Sequence, residues 1–174
     1  MSAFWYFYTN NRVEEAFYLV DKGANINHID NYGFFALKRE LFNNNAPMLK
    51  LLLEKGANPD TTDEFKRTIL HLACDFAHRK DYTEVFQLLI KHKANLGALD
   101  FKGRMPLHYL FVKKNKRSVV EAFSPLKELE VIVNEMTKDM IDINQQDING
   151  KSIMHYIAQR GSLDCLTYLI RVYG

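Results

Sequence analysis

Apolar residues fall along the chain in short runs with the three-to-four-residue spacing of a helix that buries one face, and the runs come in pairs separated by polar turns. The pattern predicts helix pairs over 3–8 and 13–20, 36–42 and 48–55, 69–77 and 83–92, and 107–112 and 126–136. A fifth pair begins near 152 and closes over 163–172. Leu126, Leu129, Ile132, Val133 and Met136 form one such apolar face, and Leu163, Leu166, Tyr168, Leu169 and Ile170 mark the closing helix. Asn43, Asn44 and Asn45 make a turn inside the second pair, and Pro47 suits the first turn of the helix that follows.

The polar turns repeat as well. Asp63 to Ala73 reads Asp-Glu-Phe-Lys-Arg-Thr-Ile-Leu-His-Leu-Ala, and counterparts start at Asp100, with Met105-Pro106-Leu107-His108, and at Asp147, with Ser152-Ile153-Met154-His155. A weaker copy starts at Asp30, where Phe35-Ala36-Leu37-Lys38 stands at the same place. The leading aspartates lie 33, 37 and 47 residues apart. Gly33, Gly103 and Gly150 occupy the turn position that calls for positive φ, whereas Lys66 holds it in the third copy. A second landmark keeps the same phase: Gly23-Ala24-Asn25, Gly56-Ala57-Asn58 and Lys93-Ala94-Asn95 each follow a second helix.

These two motifs, in register on a base period of 33 with insertions, resemble the ankyrin-repeat family. The resemblance implies an all-α solenoid of stacked helix pairs with β-turn or hairpin tips. It gives one domain, 1–174, of about five units at 1–29, 30–62, 63–99, 100–146 and 147–174, the first and last incomplete. The fourth carries a long insertion within 113–125. The resemblance also implies that His71, His108 and His155 hydrogen-bond to backbone and tie each turn to its helix. Lys38 cannot accept such a bond, so the second unit is expected to be the looser one. His28, His78 and His92 are expected to be solvated. The long fourth unit and Met154 to Gly161 further look like ankyrin segments of tankyrase-like poly(ADP-ribose) polymerases, which implies an alternative role as a substrate-recruiting or regulatory segment of a larger enzyme. Both chain ends fall inside units, as in a fragment of a longer protein.

Composition narrows the classes further. The net charge is +2 over 174 residues, so no global electrostatic pull favours nucleic acid or a membrane surface. No apolar run reaches membrane-spanning length and no leader pattern opens the chain, which points to the cytoplasm or nucleus. Cys74 and Cys165 sit at helical positions in distant units and read as buried reduced thiols. The histidines of successive units would lie about 10 Å apart, too far to share a metal held by bonds of about 2 Å. No nucleophile elbow, phosphate loop or dinucleotide fingerprint is present, so no catalytic residue, metal or cofactor is expected and the chain is not read as an enzyme.

In a stack of such units the turn tips and the open side of each first helix line one concave surface. Its candidates for binding another protein or peptide are Tyr32, Phe34, Glu64, Phe65, Arg67, Phe101, Lys102, Arg104, Ile148, Asn149 and Lys151 at the tips. The first helices add Phe42, Asp75, Phe76, Val112 and Gln159. Aromatic anchors supply affinity at such surfaces, and Arg67, Lys102 and Arg104 are read as selecting an acidic partner. The basic run Lys113, Lys114, Lys116 and Arg117 suggests a further alternative, contact with a poly-anion or nucleic acid, and Ser118 and Ser124 beside it are candidate phosphorylation positions.

Overall fold

A computed structural model describes residues 2–77, 82–112, 125–138 and 142–173. Among them are ten helices and no strand: α1 (Ala3–Thr9), α2 (Val13–Asp21), α3 (Ala36–Asn43), α4 (Ala46–Glu54), α5 (Ile69–Phe76), α6 (Thr83–Lys91), α7 (Pro106–Tyr109), α8 (Leu126–Lys138), α9 (Ile153–Arg160) and α10 (Leu163–Tyr173). The insertion, with Lys113, Lys114, Lys116, Arg117, Ser118 and Ser124, and the loop residue His78 lie outside the described residues.

Each polar turn folds by the same bonds. Asp63 donates its N–H to the Arg67 carbonyl at 3.0 Å, Lys66 donates to the Asp63 carbonyl at 3.0 Å, and Asp63 Oδ1 accepts the N–H groups of Phe65 and Arg67, both at 2.9 Å. Asp30, Asp100 and Asp147 repeat this set on their own turns. A short carboxylate that captures its own backbone two and four residues on makes the chain reverse, which is why aspartate leads every turn. The fourth residue of each turn takes a left-handed conformation, φ +69° at Gly33 and +58° at Lys66, so Lys66 adopts the glycine geometry despite its Cβ.

The helices stack in two layers. First helices α3, α5, α7 and α9 pack in succession, and second helices α4, α6, α8 and α10 do the same behind them. Leu49, Leu52, Phe86, Leu89, Leu129, Ile132 and Val133 fill the space between, all fully buried. A solenoid spreads its core in this way because each pair hides its apolar face only against its neighbours. At the N-terminal end Phe4, Trp5 and Tyr8 are buried and Phe7 half-buried, while Tyr6 stays exposed.

Three sequence expectations change. The first helix expected over 107–112 stops at Tyr109, and Val112 lies beyond it. Arg160 of α9 donates to the Leu110 carbonyl at 2.9 Å just past that end. Lys38 does not leave its turn loose: it is buried and donates to the Gly33 carbonyl at 2.9 Å, so a lysine donor closes the turn that a histidine acceptor closes elsewhere. His28 is half-buried, accepting the Ser2 N–H at 3.4 Å with its ring 6.3 Å from that of Trp5, rather than solvated.

Candidate functional site

The turns project as a row of tips, and backbone bonds fasten neighbouring tips together. Phe101 donates its N–H to the Phe65 carbonyl at 3.1 Å, and Ile148 donates to the Lys102 carbonyl at 2.9 Å. The apolar side chains on this row face water: Tyr32 is 80% exposed, Phe65 53%, Phe101 60% and Ile148 69%. They do not pack away between the turns, so most of their area is free for a partner.

Behind the tips, three rings form a continuous path. Phe34 meets Phe42 with centroids 5.9 Å apart, and Phe42 meets Phe76 edge to face at 5.2 Å and 90°. The path thus runs from one tip, along α3, onto α5. Edge-to-face packing holds each ring at a set angle while leaving Phe42 partly open to solvent. Asp75, also read as facing the concave side, is buried instead. Val112 is half-buried past the end of α7, and Gln159 is exposed on α9.

The arginines of the tips are engaged at home. Arg67 Nη2 lies 2.7 Å from Asp63 Oδ2 with its Nε at 2.9 Å, and Arg104 Nη2 lies 2.7 Å from Asp100 Oδ2 with its Nε at 3.0 Å. Tyr109 also donates to Asp100 Oδ2 at 2.6 Å, and Arg104 lies 4.4 Å above the Tyr109 ring. Burial pushes the Asp100 carboxyl up, but the hydrogen bonds from Tyr109 and Arg104 outweigh it and hold the group below the usual carboxylate range. These guanidinium groups are therefore tied within their own turns, and Asp63 is shared between Arg67 and Lys38. The Asp-to-Arg spacing of four residues in both copies was the sequence signal for it. Lys66, Lys102 and Lys151 stand otherwise: among the described residues none has a carboxylate within 4.0 Å. Lys66 lies 5.2 Å over the Phe101 ring, and Lys151 occupies the place of Arg67 and Arg104, but Asp147 Oδ2 is taken by the Tyr156 hydroxyl at 2.6 Å.

The repeated histidines accept at the start of their helices, and one of them also reaches the next unit. His71 Nδ1 accepts the Thr68 N–H at 3.1 Å, and its Nε2 donates to the Arg104 carbonyl at 3.0 Å in the next turn. Burial lowers the His71 pKa to about 4, so the ring is neutral and can accept at one nitrogen while donating at the other. His108 and His155 accept the N–H groups of Met105 and Ser152, each at 3.1 Å. Lys38 is the variation: besides Gly33 it approaches Asp63 Oδ2 at 3.8 Å, which joins the second turn to the third by charge. Glu64 and Asn149 are exposed at the tips. Among the described residues no three His, Cys, Asp or Glu side chains gather as a metal site, and no helix is long and apolar enough to cross a membrane.

The ankyrin-repeat family model matches residues 39–131 with three copies. The ankyrin repeat protein OPG189 of Variola virus is 30% identical over 111 residues, 60% of this chain and 19% of its own length. Mouse inversin is 27% identical over 194 residues, 91% of this chain and 17% of its own. The human transient receptor potential cation channel subfamily A member 1 is 28% identical over 159 residues, 91% of this chain and 13% of its own. The chain thus spans less than a fifth of the length of these curated relatives.

Proposed function

The chain belongs to the ankyrin-repeat family, whose repeats are generally protein–protein interaction modules, and from that premise we propose that it is a non-enzymatic module holding a segment of another protein on its concave face. The observation that carries this reading is the exposed apolar row of Tyr32, Phe65, Phe101 and Ile148 in front of the Phe34, Phe42 and Phe76 path. Rings held at set angles bury area on binding with little further ordering cost, as interface anchors do. The array is counted as five units, each of the last four opening at its leading aspartate. The four leading aspartates close their turns, and His71, His108 and His155 accept the N–H groups that open their helices, which favours a binding role over catalysis. Buried thiols at Cys74 and Cys165 fit a reducing, intracellular setting.

Affinity capture from a cell extract with the wild type and a Phe65→Ala/Phe101→Ala variant in parallel tests the proposal. A partner retained by the first and lost by the second supports it, provided the two melt alike by circular dichroism. Equal capture by both proteins takes the binding face elsewhere.

A further inference from the structure

Four turns of one build stand side by side in the chain, and one of them leaves a carboxylate oxygen unmet. In each, the leading aspartate uses Oδ1 to accept two N–H groups of its own turn, which leaves Oδ2 for a side chain. Asp63 Oδ2 holds Arg67 at 2.7 Å with Lys38 at 3.8 Å, Asp100 Oδ2 holds Arg104 at 2.7 Å and the Tyr109 hydroxyl at 2.6 Å, and Asp147 Oδ2 holds the Tyr156 hydroxyl at 2.6 Å. Asp30 differs. Phe34 stands where Arg67 and Arg104 stand, and Arg39, at the place of Tyr109 and Tyr156, donates to the Tyr8 carbonyl at 3.4 Å instead. Among the described residues no side chain pairs with Asp30. Glu64 of the next turn lies against Gly33, its Oε2 in the space a Cβ there would fill, and it too has no cation within 4.0 Å among the described residues. Lys38, the cation of the helix behind this turn, is buried and engaged by the Gly33 carbonyl and Asp63. The turn that carries Asp30 also carries the exposed rings of Tyr32 and Phe34.

We propose that the second tip receives an arginine of the partner segment, its guanidinium taking at Asp30 the place that Arg67 takes at Asp63 and Arg104 at Asp100, with Glu64 as a further acceptor. The inference rests on the protein-binding reading above and names one side chain of the partner. The sister turns show that this aspartate geometry suits a guanidinium: Arg67 brings Nε and Nη2 to one oxygen at 2.9 and 2.7 Å, and Arg104 brings the same pair at 3.0 and 2.7 Å. In the second turn the place of that residue is held by a ring, so the cation has to come from another chain. Arginine fits better than lysine, because its planar fork offers donors to two carboxylates at once and stacks on aromatic faces such as those of Tyr32 and Phe34. The rings behind the tip set the next requirement. Phe34 and Phe42 have centroids 5.9 Å apart, and an extended chain places alternate side chains on one side about 6.6 Å apart. An arginine beside Phe34 therefore brings a large apolar residue two places on to Phe42.

The test uses the whole chain and fluorescent peptides of serine and glycine that carry Arg-Ser-Leu at their centre, followed by anisotropy at low and at physiological salt. Companion peptides replace the arginine by lysine or by citrulline, its neutral isostere. The arginine peptide is expected to bind tightest and to weaken with salt, the lysine peptide several-fold less tightly, and the citrulline peptide about tenfold less. Asp30→Asn keeps an Oδ1 that accepts the two N–H groups of the turn while removing the charge, and Glu64→Gln alters only an exposed side chain. Each is expected to weaken the arginine peptide about threefold, and the pair about tenfold with a shallower salt dependence, while leaving the citrulline peptide where it was. Equal binding of the arginine and citrulline peptides, or of the arginine and lysine peptides, overturns the proposal. So does an unchanged double variant with a wild-type melt, and the citrulline comparison decides the matter without altering the protein should Asp30→Asn unfold. Loss of the arginine peptide in Phe42→Ala without loss in the acid variants keeps the protein-binding reading and removes the arginine. Failure of every peptide also removes it, while the capture experiment stands independently.

Discussion

The ring of Phe42 on α3 stands at right angles to that of Phe76 on α5, centroids 5.2 Å apart, so two successive first helices touch through an aromatic edge on the side open to solvent. The contact links recognition to the stack itself, since a partner that covers Phe42 bears on a ring packed against the next unit.

A double-mutant cycle with Phe42→Ala and Phe76→Ala is expected to return a coupling of about 1 kcal/mol in urea unfolding. Strict additivity of the two substitutions means the rings do not meet in solution.

Lys38 is expected to be a stabilising residue in spite of its buried charge. Lys38→Met keeps the aliphatic stem but leaves the Gly33 carbonyl without its donor and removes the cation near Asp63. The cost is expected to be about 2 kcal/mol, read from the shift of the urea midpoint. A variant as stable as the wild type shows that water replaces the ammonium at no cost.

Lys66 holds φ +58° where the other turns have glycine. Lys66→Gly removes the Cβ penalty and is expected to raise stability by about 1 kcal/mol. Urea midpoints of the wild type and this variant check it, and a less stable variant means the Lys66 side chain contributes more than its backbone strain costs.

Stability is expected to fall as the solution is acidified from neutrality, well before the carboxylates titrate. His71 has its pKa lowered by burial to about 4 from an ordinary 6.5, so the folded chain resists a proton that the unfolded chain accepts. A group of this sign contributes its full stability above pH 6.5 and loses it as the pH falls toward 4. The change is about 3 kcal/mol by linkage. His108, lowered mainly by burial, acts in the same direction. Asp100 and Asp147 are held below an ordinary 3.8, so their loss comes later in the acid range. Urea midpoints at pH 7.5, 5.5 and 4 measure the decline. His71→Gln, which keeps a side-chain acceptor for Thr68 but cannot titrate there, is expected to flatten it. An equal decline in that variant assigns the acid sensitivity to other groups.

Much of the fold was legible in the order of residues because its rules are local. A helix face repeats within four residues, and an aspartate closes a turn on N–H groups two and four places on, so Asp30, Asp63, Asp100 and Asp147 marked the turns and the apolar runs marked the helices. Even the pairing of Arg67 with Asp63 and of Arg104 with Asp100 lies within that reach. The contacts that shape the candidate surface do not. Arg160 meets the Leu110 carbonyl across 50 residues, His71 meets that of Arg104 across 33, and Phe42 meets Phe76 only once α3 and α5 are stacked. Lys38 is buried because the third turn brings Asp63 to it. Local hydrogen bonding and helical spacing were enough to define the elements, whereas the stacking of one pair on the next chose which rings remain open and set Lys38 beside Asp63, because those depend on neighbours a full repeat away.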